Sequence, residues 1–357
     1  SVWAPLPDKY EYSFFTDNPQ IKKTRNDLLN GIETNSCKWC WKDYKETGTA
    51  WRDIVNLWDN TDNASDPKHN LPDQIVITFD NTCDQSCLYC GPNESSKWAS
   101  ELNVKLRSTN IKNKIDRLIE WIVHIYDNSF SSYLGIQIMG GEPTYSNNFY
   151  YFLEKFIDIQ FPKNLNIVIS LTTNGNTNKR RMSKLLDYID KLPFEWHIGL
   201  SNESSGNIAE NIRYGLNINN FSENLKTYLN TEKISRVIFS PTMNVFNVKN
   251  FHNYIKWIHS IVSCTNINKE VTWVGNWVNA APMQFDCKHL PKSFSKYMDL
   301  AIDAMKETSK NINLVDEKDI YVFLNKMSDR INSNEENMST INQYLDQLCG
   351  HKNLNKN

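Results

Sequence analysis

Three cysteines stand within eight residues, Cys83-Asp-Gln-Ser-Cys87-Leu-Tyr-Cys90, directly after the apolar run Gln74-Ile-Val-Ile-Thr-Phe79. Nothing else in the chain narrows its possible folds as much. The pattern calls for a strand ending in a loop that turns three thiols to one side. Three thiolates on one face suit an iron–sulfur cube, which ordinarily takes four cysteines. With only three close together, one iron keeps an open position for substrate or cofactor, as an open zinc site does. The spacing alone leaves a zinc knuckle, or plain reduced thiols, as alternatives.

A chain of 357 residues is long enough for one large α/β domain with an appendage. Its net charge of −2 sets up no field that would draw nucleic acid or an anionic membrane, so neither is expected as a partner. No run of 18 apolar residues exists to span a bilayer. The start, Ser1-Val-Trp-Ala-Pro-Leu-Pro, lacks the basic-then-apolar order of a secretory leader. Eight cysteines in a chain this long are too sparse for a disulfide framework and cluster as ligands do. A reducing, cytoplasmic location is the matching expectation.

From Gln74 onward, short apolar runs alternate with amphipathic ones. Strands are expected at Gln74–Phe79, Gly135–Met139, Asn166–Thr172, Trp196–Ser201, Arg236–Thr242 and Val271–Val278. Helices are expected at Ile111–Tyr126, Phe149–Ile159, Lys179–Ile189, Ser222–Leu229 and Val248–Val262. Ile115, Leu118, Ile119 and Ile122, for example, share one face at helical spacing. Helices between successive strands imply parallel pairing with right-handed crossovers. The fold class is therefore α/β, an open (β/α)6 partial barrel whose ligands sit at the carboxyl ends of the strands. Residues 1–70 read as an appendage, with a helix at Gln20–Asn30 stopped by Gly31 and the pair Cys37-Lys-Trp-Cys40. The polar, proline-bearing stretch Asp59–Pro72 reads as a linker, residues 71–292 as the core, and residues 293–357 as a helical extension.

Three further segments fall at expected strand ends. Met139-Gly140-Gly141-Glu142-Pro143 joins two permissive glycines to a carboxylate able to accept hydrogen bonds from an ammonium group. The plainer reading is a tight turn with a solvated Glu. Thr172-Thr173-Asn174-Gly175 places polar side chains where a ligand would lie, although the same residues suit a turn or helix cap. Ser201 closes the fourth strand, and Ile212-Arg213-Tyr214-Gly215 follows, bringing a guanidinium fork suited to a carboxylate. Trp273 and Trp277 alternate onto one face of the last expected strand with Gly275. They are candidates to wall a substrate pocket, with core packing as the plainer role. His197, His252, His259 and His289 form no metal pattern and read as packing or surface residues.

The C-x3-C-x2-C spacing with aromatic Tyr89 before its last cysteine, followed one βα unit later by Gly140-Gly141-Glu142-Pro143, resembles the radical S-adenosylmethionine (radical SAM) enzymes. The resemblance implies a 4Fe–4S cluster on Cys83, Cys87 and Cys90, with SAM completing the open iron. It implies that Glu142, with Gly140, Gly141 and Pro143, holds the amino group of SAM. Tyr89, Thr173, Asn174, Ser201 and Arg213 would lie around the rest of that molecule, Arg213 at its carboxylate. Leu28-Leu29-Asn30-Gly31, Cys37-x-x-Cys40, Gly48 and Arg52, together with Cys90-Gly-Pro92 and Ser95-Ser-Lys-Trp98, are similar to members with a SPASM-type or Twitch-type auxiliary domain. Those relatives bind a second iron–sulfur cluster through such a pair plus cysteines elsewhere. Here no cysteine precedes Cys37, and Cys264, Cys287 and Cys349 are isolated. A reduced pair or a zinc half-site stays open as the alternative. The resemblance implies a peptide or protein substrate, or else a small molecule, and an electron donor such as flavodoxin or ferredoxin. A zinc-binding interaction protein without catalysis is the reading of a different class.

Overall fold

A computed structural model of the chain describes residues 18–47, 74–105, 111–127, 133–161, 165–265, 269–278, 282–333, 339 and 341–343. The helices are α1 (Pro19–Leu29), α2 (Lys38–Thr47), α3 (Ser96–Glu101), α4 (Lys112–Asp127), α5 (Asn147–Ile157), α6 (Lys179–Lys191), α7 (Gly206–Ile212), α8 (Ile218–Asn230), α9 (Phe251–Ser263), α10 (Lys296–Thr308) and α11 (Glu317–Ser333). The strands are β1 (Gln74–Thr78), β2 (Ser86–Cys87), β3 (Tyr133–Met139), β4 (Asn166–Thr173), β5 (Glu195–Leu200), β6 (Arg213–Tyr214), β7 (Ile234–Phe239), β8 (Thr242–Met243), β9 (Glu270–Trp273) and β10 (Asn276–Trp277). These residues fall into two compact units. One holds α1, α2 and α4 with the first residues of β1, β3 and β4; the other holds the rest, residues 293–333 included. The expected linker Asp59–Pro72, together with Gly48, Arg52 and Cys349, lies outside the described residues.

Six strands form one parallel sheet in the order β1-β3-β4-β5-β7-β9, open at β1 and β9. Each new strand adds to the same edge after a helical connection, the order that the alternation of strand and helix patterns predicts. The buried residues of β1 and β3 alternate, with Ile75 and Ile77, then Leu134, Ile136 and Ile138, on one face. Aromatic side chains fill much of the core. Phe149, Phe152 and Phe156 of α5 are all buried, and Phe79 lies 5.4 Å from Phe152 between ring centroids. Helix ends carry their expected signals: Asn178 caps α6 through Arg181 N–H, Asn217 caps α8 through Asn220 N–H, and Gly31 turns left-handed just after α1. Asn217 starts α8 at Ile218, one turn before the expected Ser222.

The expected single strand Val271–Val278 is instead two. β9 ends at Trp273 beside β7, and β10 pairs with β8. At the break, Gly275 leaves room for Phe323 of α11: a Cβ there would stand 2.3 Å from the Phe323 Cδ1. The break separates the two tryptophans. Trp273 is buried among Phe239, Phe251 and Tyr254, so it is a core residue and no pocket wall. Trp277 is half-buried, stacked on Phe323 with the Arg330 guanidinium over its ring, so α11 covers it too.

His259 on α9 is buried near Trp273, and burial pushes its pKa down to about 4 from 6.5. It stays neutral in the fold but protonates in the unfolded chain. Its share of stability is therefore complete above about pH 6.5 and is lost as pH falls toward about 4. Urea unfolding at pH 7 and pH 4.5 should show His259→Leu losing about 2 kcal/mol less than the wild type over that interval. Equal losses in both proteins would show that this histidine is not held neutral.

Candidate functional site at the carboxyl ends of the strands

Beyond β1 the chain enters the cysteine loop, which is pinned at several points. Asp80 accepts hydrogen bonds from Thr82 N–H (2.9 Å), Ser146 Oγ (2.5 Å) and Asn148 Nδ2 (2.8 Å). Cys83 N–H donates to Ser96 Oγ at 3.0 Å, and Cys90 N–H to Cys87 O at 3.1 Å. Ser95 caps α3 and donates to Gln85 O at 2.6 Å, while Trp98 Nε1 donates to Cys87 O at 2.8 Å. Leu88 packs with Trp98, Val278 and Phe285, and Tyr89 and Cys90 lie against that cluster. Cys87 is buried and Cys83 and Cys90 are partly exposed, all as free thiols.

The end of β3 runs against this loop. Gly140 and Gly141 have φ of +88° and +52°, a region that glycine enters without strain. A Cβ on Gly141 would stand 2.5 Å from Thr82 O and 2.8 Å from Asn81 C, both backbone atoms. Glu142 N–H donates to the same Thr82 O at 2.6 Å. The sequence suggested glycines that admit a ligand; the close neighbour here is the cysteine loop itself. Gly141→Ala should lower stability by about 2–4 kcal/mol, left-handed strain adding to backbone overlap. A melting temperature equal to the wild type's would contradict that packing.

Glu142 is fully buried and surrounded by donors. Its Oε1 accepts from Thr144 N–H (3.1 Å), Thr144 Oγ1 (2.7 Å) and Thr173 Oγ1 (2.8 Å), and its Oε2 from Asn174 N–H (2.6 Å). Burial pushes the carboxyl up to about 7, against the pull of these bonds. Thr173 and Asn174 stand at the end of β4, so the parallel register of β3 and β4 assembles this shell. The Asn174 side chain turns to the cysteine loop, donating to Asp84 Oδ1 at 2.7 Å, and Asn176 Nδ2 donates to Asp84 Oδ2 at 2.8 Å. Pro143 is buried in the turn after Glu142. Ser201 lies just beyond β5 and donates its N–H to Thr173 O at 2.9 Å.

Arg213 behaves differently from the sequence expectation. It is buried, and its fork is taken by Glu203, which lies two residues past Ser201: Nη2 to Oε2 at 2.7 Å, Nε to Oε2 at 3.0 Å and Nε to Oε1 at 3.2 Å. Tyr89 donates its hydroxyl to Glu203 Oε1 at 2.9 Å, and the guanidinium lies 5.5 Å from the Tyr89 ring centroid. The carboxylate that Arg213 meets is thus the chain's own. Sequence reading missed Glu203, Asp84 and Asn176; a charged or amide residue at or just past a strand's carboxyl end was the available signal.

Cys37 ends a short 3-10 turn and Cys40 lies in α2, both partly exposed, in the first compact unit. Of the other cysteines, Cys264 is exposed and Cys287 is fully buried in the second unit. Among the described residues no group of three His, Cys, Asp or Glu side chains is placed to hold a single metal ion. No helix among them is long and apolar enough to cross a membrane.

A thiol-rich loop, a glycine–carboxylate turn and a Thr-Asn turn lie at the carboxyl ends of β1, β3 and β4 of an α/β scaffold, and together they form the candidate site. The family model "Radical SAM superfamily" matches residues 77–258, and the chain belongs to that superfamily of enzymes. Solved structures to which the chain is similar include Streptococcus suis SuiB bound to precursor peptide SuiA, with 16% identity, a TM-score of 0.44, and coverage of 85% of this chain and 61% of that one. A second crystal structure of Streptococcus suis SuiB gives 17% identity, 0.46, 85% and 60%. Native anSMEcpe with bound AdoMet and Cp18Cys peptide gives 17%, 0.43, 68% and 62%. The chain therefore spans about three-fifths of the length of these proteins. No curated protein matches it. The family implies a 4Fe–4S cluster and SAM. The residues fit that group in their chemistry: three free thiols on one pinned loop, beside a buried carboxylate ringed by hydrogen-bond donors.

Proposed function

We propose that the chain is a radical SAM enzyme that acts on a peptide or protein through a cluster held by Cys83, Cys87 and Cys90. The observation that carries this reading is the placement of the cysteine loop, Glu142 and Thr173–Asn174 at adjacent strand ends, in a chain of this superfamily. When bound, the cluster and SAM supply one-electron cleavage of SAM to a 5′-deoxyadenosyl radical, which abstracts hydrogen from the substrate. The protein binds, orients and excludes water. Glu142 takes the ammonium group of SAM, with Gly140, Gly141 and Pro143 shaping the turn. Thr173, Asn174, Ser201 and Tyr89 border the remainder. Arg213, already paired, is left out of the contacts to the SAM carboxylate. An electron donor such as flavodoxin or ferredoxin supplies the electron. Cys37 and Cys40 hold a separate metal centre, for which iron fits the family resemblance better than zinc.

The peptide class rests on the resemblance of the Cys37 segment to SPASM/Twitch members; a small-molecule substrate such as an amino acid, sugar or nucleotide derivative is the second reading. Deuterium transfer separates the two. The enzyme, reconstituted without oxygen, is given SAM, dithionite and either a perdeuterated peptide digest or the matching free amino acids, sugars and nucleotides. Deuterium in 5′-deoxyadenosine from the digest alone supports the peptide reading. Label from the small-molecule pool alone overturns it.

A further inference from the structure

β2 and β6 are only two residues each, yet they form an antiparallel ribbon in which Cys87 and Arg213 are direct partners. Leu88 N–H donates to Ile212 O at 2.9 Å and extends the ribbon. Directly opposed residues in such a pair stand close enough for their side chains to meet. Glu203 occupies Nε and Nη2 of the guanidinium, which leaves Nη1 to point at Cys87 Sγ, 3.9 Å away. Arg213 is 5% exposed and Glu203 is fully buried, so water screens neither charge. Tyr89, two residues after Cys87, fixes the carboxylate from the other side. Two opposite charges are therefore fixed beside one thiol of the cysteine loop, the guanidinium meeting the sulfur through Nη1 and the carboxylate held on its Nε and Nη2.

We propose that Arg213 and Glu203 are positioning residues that set the reduction potential of the iron–sulfur centre ligated by Cys87. The inference rests on the proposed function only in taking Cys87 as a ligand. Reduction adds one electron to the centre, here from dithionite, and breaks no bond. Hydrogen bonds and charges at the ligand sulfurs set how readily that electron is accepted. The guanidinium favours the reduced form, and the Glu203 carboxylate holds it in place and offsets part of its charge. Arg213 thus acts on the thiolate instead of on a ligand's carboxylate.

The test is a redox titration of the reconstituted protein without SAM, followed by electron paramagnetic resonance, with iron and sulfide content measured first. Glu203→Gln is isosteric and leaves the cation uncompensated, so the potential should rise. Arg213→Gln leaves the carboxylate uncompensated, so it should fall. Arg213→Lys keeps the charge and should return the potential toward the wild-type value. Shifts of opposite sign in the Gln variants follow from charge at the sulfur, whereas a merely structural role predicts no such pattern. If Arg213→Gln does not fold, the Glu203→Gln arm decides: a rise supports the inference, and no change or a fall overturns it. Full iron content with unmoved potentials overturns this inference alone. A wild-type protein that takes up no iron overturns the proposed function and this inference with it.

Discussion

Replacing Cys83, Cys87 and Cys90 together by Ala should remove the cluster bound in the second compact unit and leave the sheet folded. The loop is pinned by backbone and neighbouring side-chain groups: Asp80, Ser95, Ser96 and the Trp98 indole hold it through main-chain partners that the three substitutions leave in place. The thiols themselves contribute little to that hold, and only buried Cys87 leaves a small cavity, worth about 1 kcal/mol. Iron analysis after anaerobic reconstitution should therefore fall by about four atoms per chain while circular dichroism stays close to the wild type. Any iron that remains and then disappears on Cys37→Ala identifies a second centre on Cys37 and Cys40. A triple variant with undiminished iron would show that the loop is not the cluster site.

Glu142→Gln should leave iron content intact and lower SAM affinity about ten- to a hundred-fold, the loss of one charge-assisted hydrogen bond of roughly 1.5–3 kcal/mol. Gln keeps the shape of the side chain and all but one of its acceptor contacts, although its NH2 must face either Thr144 N–H or Asn174 N–H, so melting temperature is measured beside binding. Ala would strand the Thr144 and Thr173 hydroxyls and both backbone N–H groups in a buried shell, a larger folding defect. The carboxyl also predicts a pH dependence. Its pKa is raised by burial to about 7, and in the proposed role it is the ionised form that takes the ammonium group of SAM. Wild-type affinity should rise from pH 6 to pH 8, most steeply below 7, while the Gln variant stays nearly flat over that range. Isothermal titration with SAM checks both. Equal affinities for the two proteins at pH 8 would refute the role of Glu142.

The cysteine loop and the Gly-Gly-Glu-Pro turn were legible in the sequence because each is contiguous. Chemistry that needs neighbours in the chain leaves a local signature, and the strand before each segment was marked by Val, Ile and aromatic residues. The sheet order was legible for a related reason: alternating strand and helix patterns permit few topologies. What escaped depends on contacts between distant segments. Phe323, which packs against Gly275, comes from 48 residues further on, so no pattern within 271–278 announces it. The partners of Glu142 come from the end of β4, and only parallel register brings them near. The Arg213–Glu203 pair needs a ribbon of two-residue strands, too short to alternate. Arg213 was singled out for its guanidinium fork, but the carboxylate it meets was read as a ligand's because Glu203 carried no motif of its own.

The most direct test of the account is chromatographic. The wild-type protein, reconstituted without oxygen and given dithionite and SAM, should form 5′-deoxyadenosine and methionine in equal amounts, and the Cys83/Cys87/Cys90 triple-Ala variant should form none. Undiminished SAM cleavage in that variant, or an iron-loaded wild-type protein that leaves SAM intact with and without substrate, would contradict it.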